Sequence, residues 1–266
     1  MKENKSTGAI IVIIMLIIII LGLVGYIAYD KGVFNTKKEK TVTTEKKVEK
    51  DEFKITYKED IYEAKDSSGV VKLRNKRNIP TVTSKTKKDI ADKITANIND
   101  DESEKWWNDL KEEYGTTENL DNTPYVIGIS FLYSTVRVTD SYISLQAEQS
   151  GGMGGVSWGE TLGYVYSTTT GEELKVTDIG ENETEFKAFI NDYALDYLEN
   201  SSYSCLNENW KSEFNKYLFD NFNLDDDGIN IYISRYSIAC GADGTVIVKI
   251  PYSDVNSYLK TEYQEK

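Results

Sequence analysis

The spacing of apolar residues changes several times along the chain, and each change marks a boundary. Residues 9–28, AIIVIIMLIIIILGLVGYIA, are twenty positions without a charge. As a helix they rise about 30 Å, the depth of a bilayer's hydrocarbon core. From 53 to 73, FKITYKEDIYEAKDSSGVVKL alternates with period two and is broken by DSSG. This predicts two strands and a turn at 66–69. Pro80, in RNIPTVT, suits a strand edge. From 87 to 99, Ile90, Ile94 and Ile98 recur every fourth residue, the stripe of an amphipathic helix. DDESEKWWNDLKEEYG predicts a second helix, with acids at the positive end of its dipole and Gly115 as its stop.

Period two returns after Pro124. YVIGISFLYSTVRV and SYISLQAEQS predict strands joined at Thr139–Asp140, and GGMGGVSWGE reads as a flexible crossing between strands. TLGYVYSTTTGEELKV predicts a hairpin about Thr170–Gly171. Residues 182–200 predict a helix capped by Asn182 with Glu185, its face formed by Phe186, Ile190, Tyr193 and Tyr197. NENWKSEFNKYLFDNF predicts a fourth helix striped by Trp210, Phe214, Leu218 and Phe222. INIYISRYSIA and TVIVKIPYS close the chain as strands. The expected class is α+β: antiparallel sheets packed with about four helices, preceded by one transmembrane helix.

The organisation follows. Residues 1–8 are a short cytoplasmic tail and 9–29 a signal anchor. The apolar run is too long, and its end GYIAYDKG too poor a cleavage site, for a removed signal peptide. Residues 30–52 are a Lys/Glu/Thr-rich tether unable to bury a core. Residues 53–266 form the folded region, with an N-terminal part at 53–122 and a C-terminal part at 123–266. Lysines flank both sides of the anchor, but an eight-residue leader before a large domain favours export of the C-terminal side. The first 29 residues carry net +1 and residues 30–54 net +2. Residues 55–266 therefore hold −16 of a total of −13. Such charge disfavours nucleic acid and suits a basic partner, a cation or plain solubility.

Histidine is absent from the sequence. That removes Ser-His-Asp and Cys-His catalysis and the commonest zinc sites. No catalytic, cofactor or metal residues are assigned. Asn223, Asp225 and Asp227 before Gly228 mimic a calcium loop, but Ser234 stands where the distal Glu should be, and an Asp-Gly turn is the better reading. Ser84–Lys87, SKTK, matches S-x-x-K without its companion motifs. The glycine run lacks the Lys-Ser/Thr of a phosphate loop. Cys205 and Cys240 are the only cysteines; outside the membrane they favour a disulfide over two buried thiols. Met153 and Trp158 are candidate partner contacts.

Three stretches together resemble the exported region of RsiV-type and PdaC-type proteins. They are RNIPTVTSKTKKDIADKITANIND, YVYSTTTGEELKVTDI and LDDDGINIYISRYSIACGADGTVIVKIPYSDV. The resemblance spans most of 53–260 and implies an α+β ectodomain facing the cell wall. In RsiV-type proteins that domain binds lysozyme and controls a sigma factor; in PdaC-type proteins it accompanies a peptidoglycan deacetylase. Here GGMGGVSWGE replaces a Gly-Gly-Ala-His step. Eight residues ahead of the anchor leave no room for a sigma-binding domain, and no deacetylase domain is seen. The expectation is a membrane-anchored binding module, not an enzyme, for a basic extracellular protein such as lysozyme or for a wall component. The alternatives are a carboxylate-dependent wall hydrolase and a structural partner of another membrane protein.

Overall fold

The computed structural model describes residues 53–99, 101–153 and 156–265. The anchor and tether expected at 1–52 lie outside these residues. Among the described residues no helix is long and apolar enough to cross a membrane.

Strands β1 (Phe53–Lys65) and β2 (Val71–Ser84) form an antiparallel hairpin. Asp66 sets its turn: its carboxylate accepts from the Ser68 and Val70 N–H groups and the Ser68 hydroxyl, and Gly69 takes φ +85°. Helices α1 (Lys88–Ile98), α2 (Asp101–Tyr114) and α3 (Thr117–Asp121) then carry the chain across. Strand β3 (Ile127–Val138) returns to pair with Leu73–Arg77 of β2 in parallel. This corrects the expected antiparallel arrangement. Period two reveals a strand but not the direction of its neighbour. Strands β4 (Tyr142–Met153) and β5 (Val156–Ser167) complete a five-stranded sheet in order β1-β2-β3-β4-β5.

The β2–β3 ladder ends at Arg77, and a side chain extends it. Asn78 donates to the Tyr133 carbonyl at 2.7 Å and accepts from the Tyr133 N–H at 2.6 Å. Pro80 lies past this point and pairs only with Tyr57 of β1, so its missing N–H faces no strand.

A second sheet, β6-β7-β8, comprises Phe222–Leu224, Gly228–Ile233 and Val246–Pro251. Helix α4 (Glu183–Glu199) begins where Asn182 accepts from the Thr184 and Glu185 N–H groups. Its buried stripe is Phe186, Ile190, Ala194 and Leu198; Tyr193 and Tyr197 sit half-buried on its flank, one position from the expected face. The expected fourth helix is broken: α5 (Trp210–Glu213) is a single turn, Phe214–Tyr217 is 3₁₀, and Phe222 opens β6. All four stripe residues are nonetheless buried. A single turn, α6 (Tyr252–Val255), follows β8 where the last strand was expected to run on. The expected hairpin at Thr170–Gly171 retains its turn, but its second arm shrinks to one bridge, Tyr166↔Glu173.

Two cores result. Ala91, Ile94 and Ile98 of α1 pack with Val82, Tyr133, Ile143, Leu145, Ala147 and Tyr166 of the large sheet. Helix α4 packs with Ile229, Ile231, Val248 and Ile250 of the small sheet. The sheets meet where β5 crosses β6. A Cβ on Gly163 would lie 2.5 Å from the Phe222 carbonyl carbon, so only glycine admits this approach. The Gly163 N–H donates to Asn221, and the Leu224 N–H to the buried Ser144 hydroxyl. Tyr232 joins Asn223 to Gln146 across the same seam. Burial drives the Tyr232 phenol up to about 12 against the opposing pull of Asn223, so it stays protonated.

Candidate functional site

On one face, the small sheet covers only part of the large one. The remainder is paved with the smallest side chains. In register, Arg74 of β2 is followed across the sheet by Gly128, Gly152 and Ser157. Lys76 is followed by Ser130, Ser150 and Gly159. Opposed residues share a face, so these six Gly and Ser positions form one floor. The result is an open groove of about 630 Å³. The Ser130 and Ser150 hydroxyls are bonded at 2.6 Å, which fixes their orientation.

Charge and one apolar side chain edge the groove on the β1–β2 side. Arg74 pairs with Glu63 at 2.7 Å and Lys76 with Glu59 at 2.5 Å. Ile61, opposite Lys76, is 52% exposed. Exposed pairs like these contribute under about 1 kcal/mol each. A ligand group therefore competes with them at little cost. The floor offers the hydroxyls of Ser130, Ser150 and Ser157 beside the cationic side chains of Arg74 and Lys76.

The glycine run expected as a flexible crossing is ordered strand. β4 and β5 stay paired to Met153↔Val156, so Gly151 and Gly152 lie within β4, and Ser157, Trp158 and Gly159 lie within β5. Gly151 is required by its partner: a Cβ there would come within 2.6 Å of the Trp158 indole. Of the two candidate contacts, Trp158 borders the groove in sequence, but the register sets its indole on the opposite face, over Gly151; Met153 is 53% exposed at the hairpin's end. Small residues at alternate positions of three neighbouring strands were the signal for the floor.

Cys205 and Cys240 lie elsewhere, joined by a disulfide with Cα atoms 5.6 Å apart. Among the described residues, one group of three ligand-type side chains lies within 4.8 Å: these two cysteines and Asp243. The bridge removes both thiolates. Asp243 instead accepts from the Ser204 hydroxyl and the Cys205 N–H. Those bonds, the Cys205 N–H foremost, hold its carboxyl below the usual range. The calcium-like loop is a β6–β7 turn. Asp225 accepts from the Asp227 and Gly228 N–H groups and from the Asn230 amide. Burial pushes the Asp225 carboxyl up, but these hydrogen bonds and Lys249 outweigh it and hold it low. SKTK is a turn into α1: Ser84 Oγ accepts from the Thr86 and Lys87 N–H groups, and the Lys87 ammonium donates to the Thr168 carbonyl at 3.4 Å.

Comparison with known proteins places this fold. The crystal structure of a DUF3298 family member from Bacteroides fragilis NCTC 9343 aligns with TM-score 0.57 at 13% identity, covering 79% of this chain and 94% of that one. A DUF3298 family protein from Pseudomonas aeruginosa PAO1 aligns with TM-score 0.45 at 12% identity, covering 80% and 96%. A search of curated proteins finds no match. Residues 177–253 match the family model described as "Protein of unknown function (DUF3298)". That segment holds α4, the small sheet and the disulfide; the groove lies on the large sheet before it. Residues 177–253 thus match the DUF3298 model, and the described residues share the mixed α+β fold of a solved DUF3298 structure.

Proposed function

We propose that this chain is a membrane-anchored, extracytoplasmic binding module of the RsiV/PdaC type, whose acidic domain grips a basic wall-associated protein such as lysozyme, or a wall component. The observation that carries the reading is the open groove, floored by Gly128, Ser130, Ser150, Gly152, Ser157 and Gly159. It is broad and shallow, and it sits on a rigid sheet. The net −16 of residues 55–266 would steer a basic partner toward the domain as a whole. The uncharged stretch at 9–28 supports the anchor, and the disulfide suits an oxidising compartment.

The test is capture of the full chain, purified in detergent, on immobilised lysozyme at about 50, 150 and 500 mM salt. Capture is expected to be strongest at the lowest salt and to be weakened by Ser150→Trp, which fills the groove from an exposed position. No capture of the wild-type chain even at the lowest salt removes lysozyme as the ligand. Soluble fragments released from peptidoglycan by the chain would replace the binding reading with the hydrolase alternative.

A further inference from the structure

The sequence contains four arginines. Three hold carboxylates: Arg74 with Glu63 at 2.7 Å, Arg77 with Asp60 at 3.0 Å and Arg137 with Asp226 at 3.8 Å. Arg235 has no ion pair or hydrogen bond among the described residues, and its Nε is sealed from solvent without an acceptor. In so acidic a region, a half-buried guanidinium left without a counter-ion is the exception. Its contact is with its neighbour: the guanidinium carbon lies 4.7 Å from the centroid of the Tyr236 ring.

Tyr236 is unusual on two counts. It is 66% exposed, more than any other large hydrophobic residue described. It also has φ +69°, the one non-glycine residue with positive φ among those described. That conformation is costly for a bulky L-residue and needs an enforcing frame. The frame is present. Ser237 N–H donates to the Ser234 carbonyl across the turn. The phenol lies on Gly241, where any Cβ would collide with its hydroxyl oxygen and come within 2.5 Å of its ring carbons. The returning chain is tied down by the Leu206↔Ala239 bridge, by the Cys240 N–H to Cys205 carbonyl bond and by the disulfide. Asp243, the acid of this loop, is committed to Ser204 and Cys205 and leaves Arg235 free for an outside group.

We propose that Arg235 and Tyr236 form a carboxylate-binding site. The guanidinium fork takes one carboxylate, and the exposed ring takes the flat face beside it. Strain held by a surrounding frame at an exposed aromatic is the pattern of a residue kept for presentation, not packing. The disulfide keeps the pair pre-organised, which lowers the entropy lost on binding. The surrounding −16 rejects polyanions, so the ligand carries a single carboxylate. Two sources share this chemistry: an acid-bearing sugar and a peptide C-terminus. The site is on a different loop from the groove and does not depend on it.

The experiment is calorimetric titration of the full chain in detergent with four probes. They are N-acetylmuramic acid, its neutral relative N-acetylglucosamine, acetyl-alanyl-alanine as the free acid, and the same peptide as its amide. At least one acid should bind about tenfold or more tighter than its neutral counterpart, and which acid does so identifies the source. Arg235→Gln should abolish that preference. Arg235→Lys, which keeps the charge but loses the fork, should reduce it, and the melting temperature of both variants should stay at the wild-type value. Tyr236→Gly should weaken the acid while raising the melting temperature by about 2 °C, because glycine accepts this φ without strain. Equal binding of acids and neutral analogues by the wild-type chain, including no binding of either, overturns the proposal. So does a preference that survives in Arg235→Gln. Ser150→Trp should leave the preference intact, so failure here and failure of the groove reading are separable.

Discussion

Replacing both Cys205 and Cys240 by serine should cost this domain about 4 kcal/mol of stability. The bridge joins residues 35 apart. Closing a loop of that length removes about 13 cal/mol/K of unfolded-chain entropy, or close to 4 kcal/mol at 25 °C. Native contacts at the site are largely kept. The Cys240 N–H still reaches the carbonyl of residue 205, and the 205 N–H still reaches Asp243. The substitution therefore isolates the cross-link. At about 2–4 °C per kcal/mol for a domain of this size, the melting temperature should fall by roughly 8–16 °C. Thermal unfolding followed by circular dichroism reads this directly, with the wild type in reductant as a second arm. Intact mass should rise by two hydrogens on reduction. A fall below about 3 °C would refute the loop-entropy reasoning, and no mass change would mean that the two sulfurs do not cross-link the folded chain.

Two further outcomes follow, one from a single buried amide and one from three carboxylates. Asn75 is fully buried in β2, and neither its Oδ1 nor its Nδ2 has a partner among the described residues. Asn75→Val should therefore stabilise the chain by about 1 kcal/mol, by removing an orphaned amide from a strand that favours β-branched residues. Denaturant titration checks it, and a lower midpoint would mean that bound water satisfies the amide. Asp66, Asp225 and Asp243 all titrate below the usual carboxylate range in the folded state. For depressed values the sign is definite: their stabilisation is complete above an unfolded value of about 3.9 and disappears as pH falls through the lower folded values. Melting temperature should hold from pH 7 to about 5 and drop below about pH 4. A rising melting temperature over that lower range would contradict it.

Some elements were legible because one local cause produced them. Ile90, Ile94 and Ile98 announced α1, Asn182 announced the start of α4, and Asp66 with Gly69 announced the first turn. Elsewhere two structures satisfy one pattern. Trp210, Phe214, Leu218 and Phe222 recur as on a helix, yet the core receives them equally well from a turn, a 3₁₀ segment and a strand. The glycines at 151 and 152 read as loop because their reason lies across the hairpin, in the indole of Trp158 and the bare floor. Trp158 stood out as an aromatic in a glycine-rich run. Arg235 gave no signal, since an arginine's lack of a counter-ion depends on where every carboxylate ends up. Tyr236 gave none either: positive φ is signalled by Gly, Asn or Asp, and here a neighbouring frame imposes it on an aromatic.

The parallel pairing of β2 with β3 also sets an order of events at the ribosome. The β1–β2 hairpin emerges early and can close on its own. Its free side stays unpaired until residues 85–126 have been made and β3 has arrived. During that interval the chain exposes a strand flank to any sticky neighbour. The charged pairs Arg74–Glu63 and Lys76–Glu59 already sit on that hairpin, and they would help keep the waiting ribbon soluble while synthesis catches up.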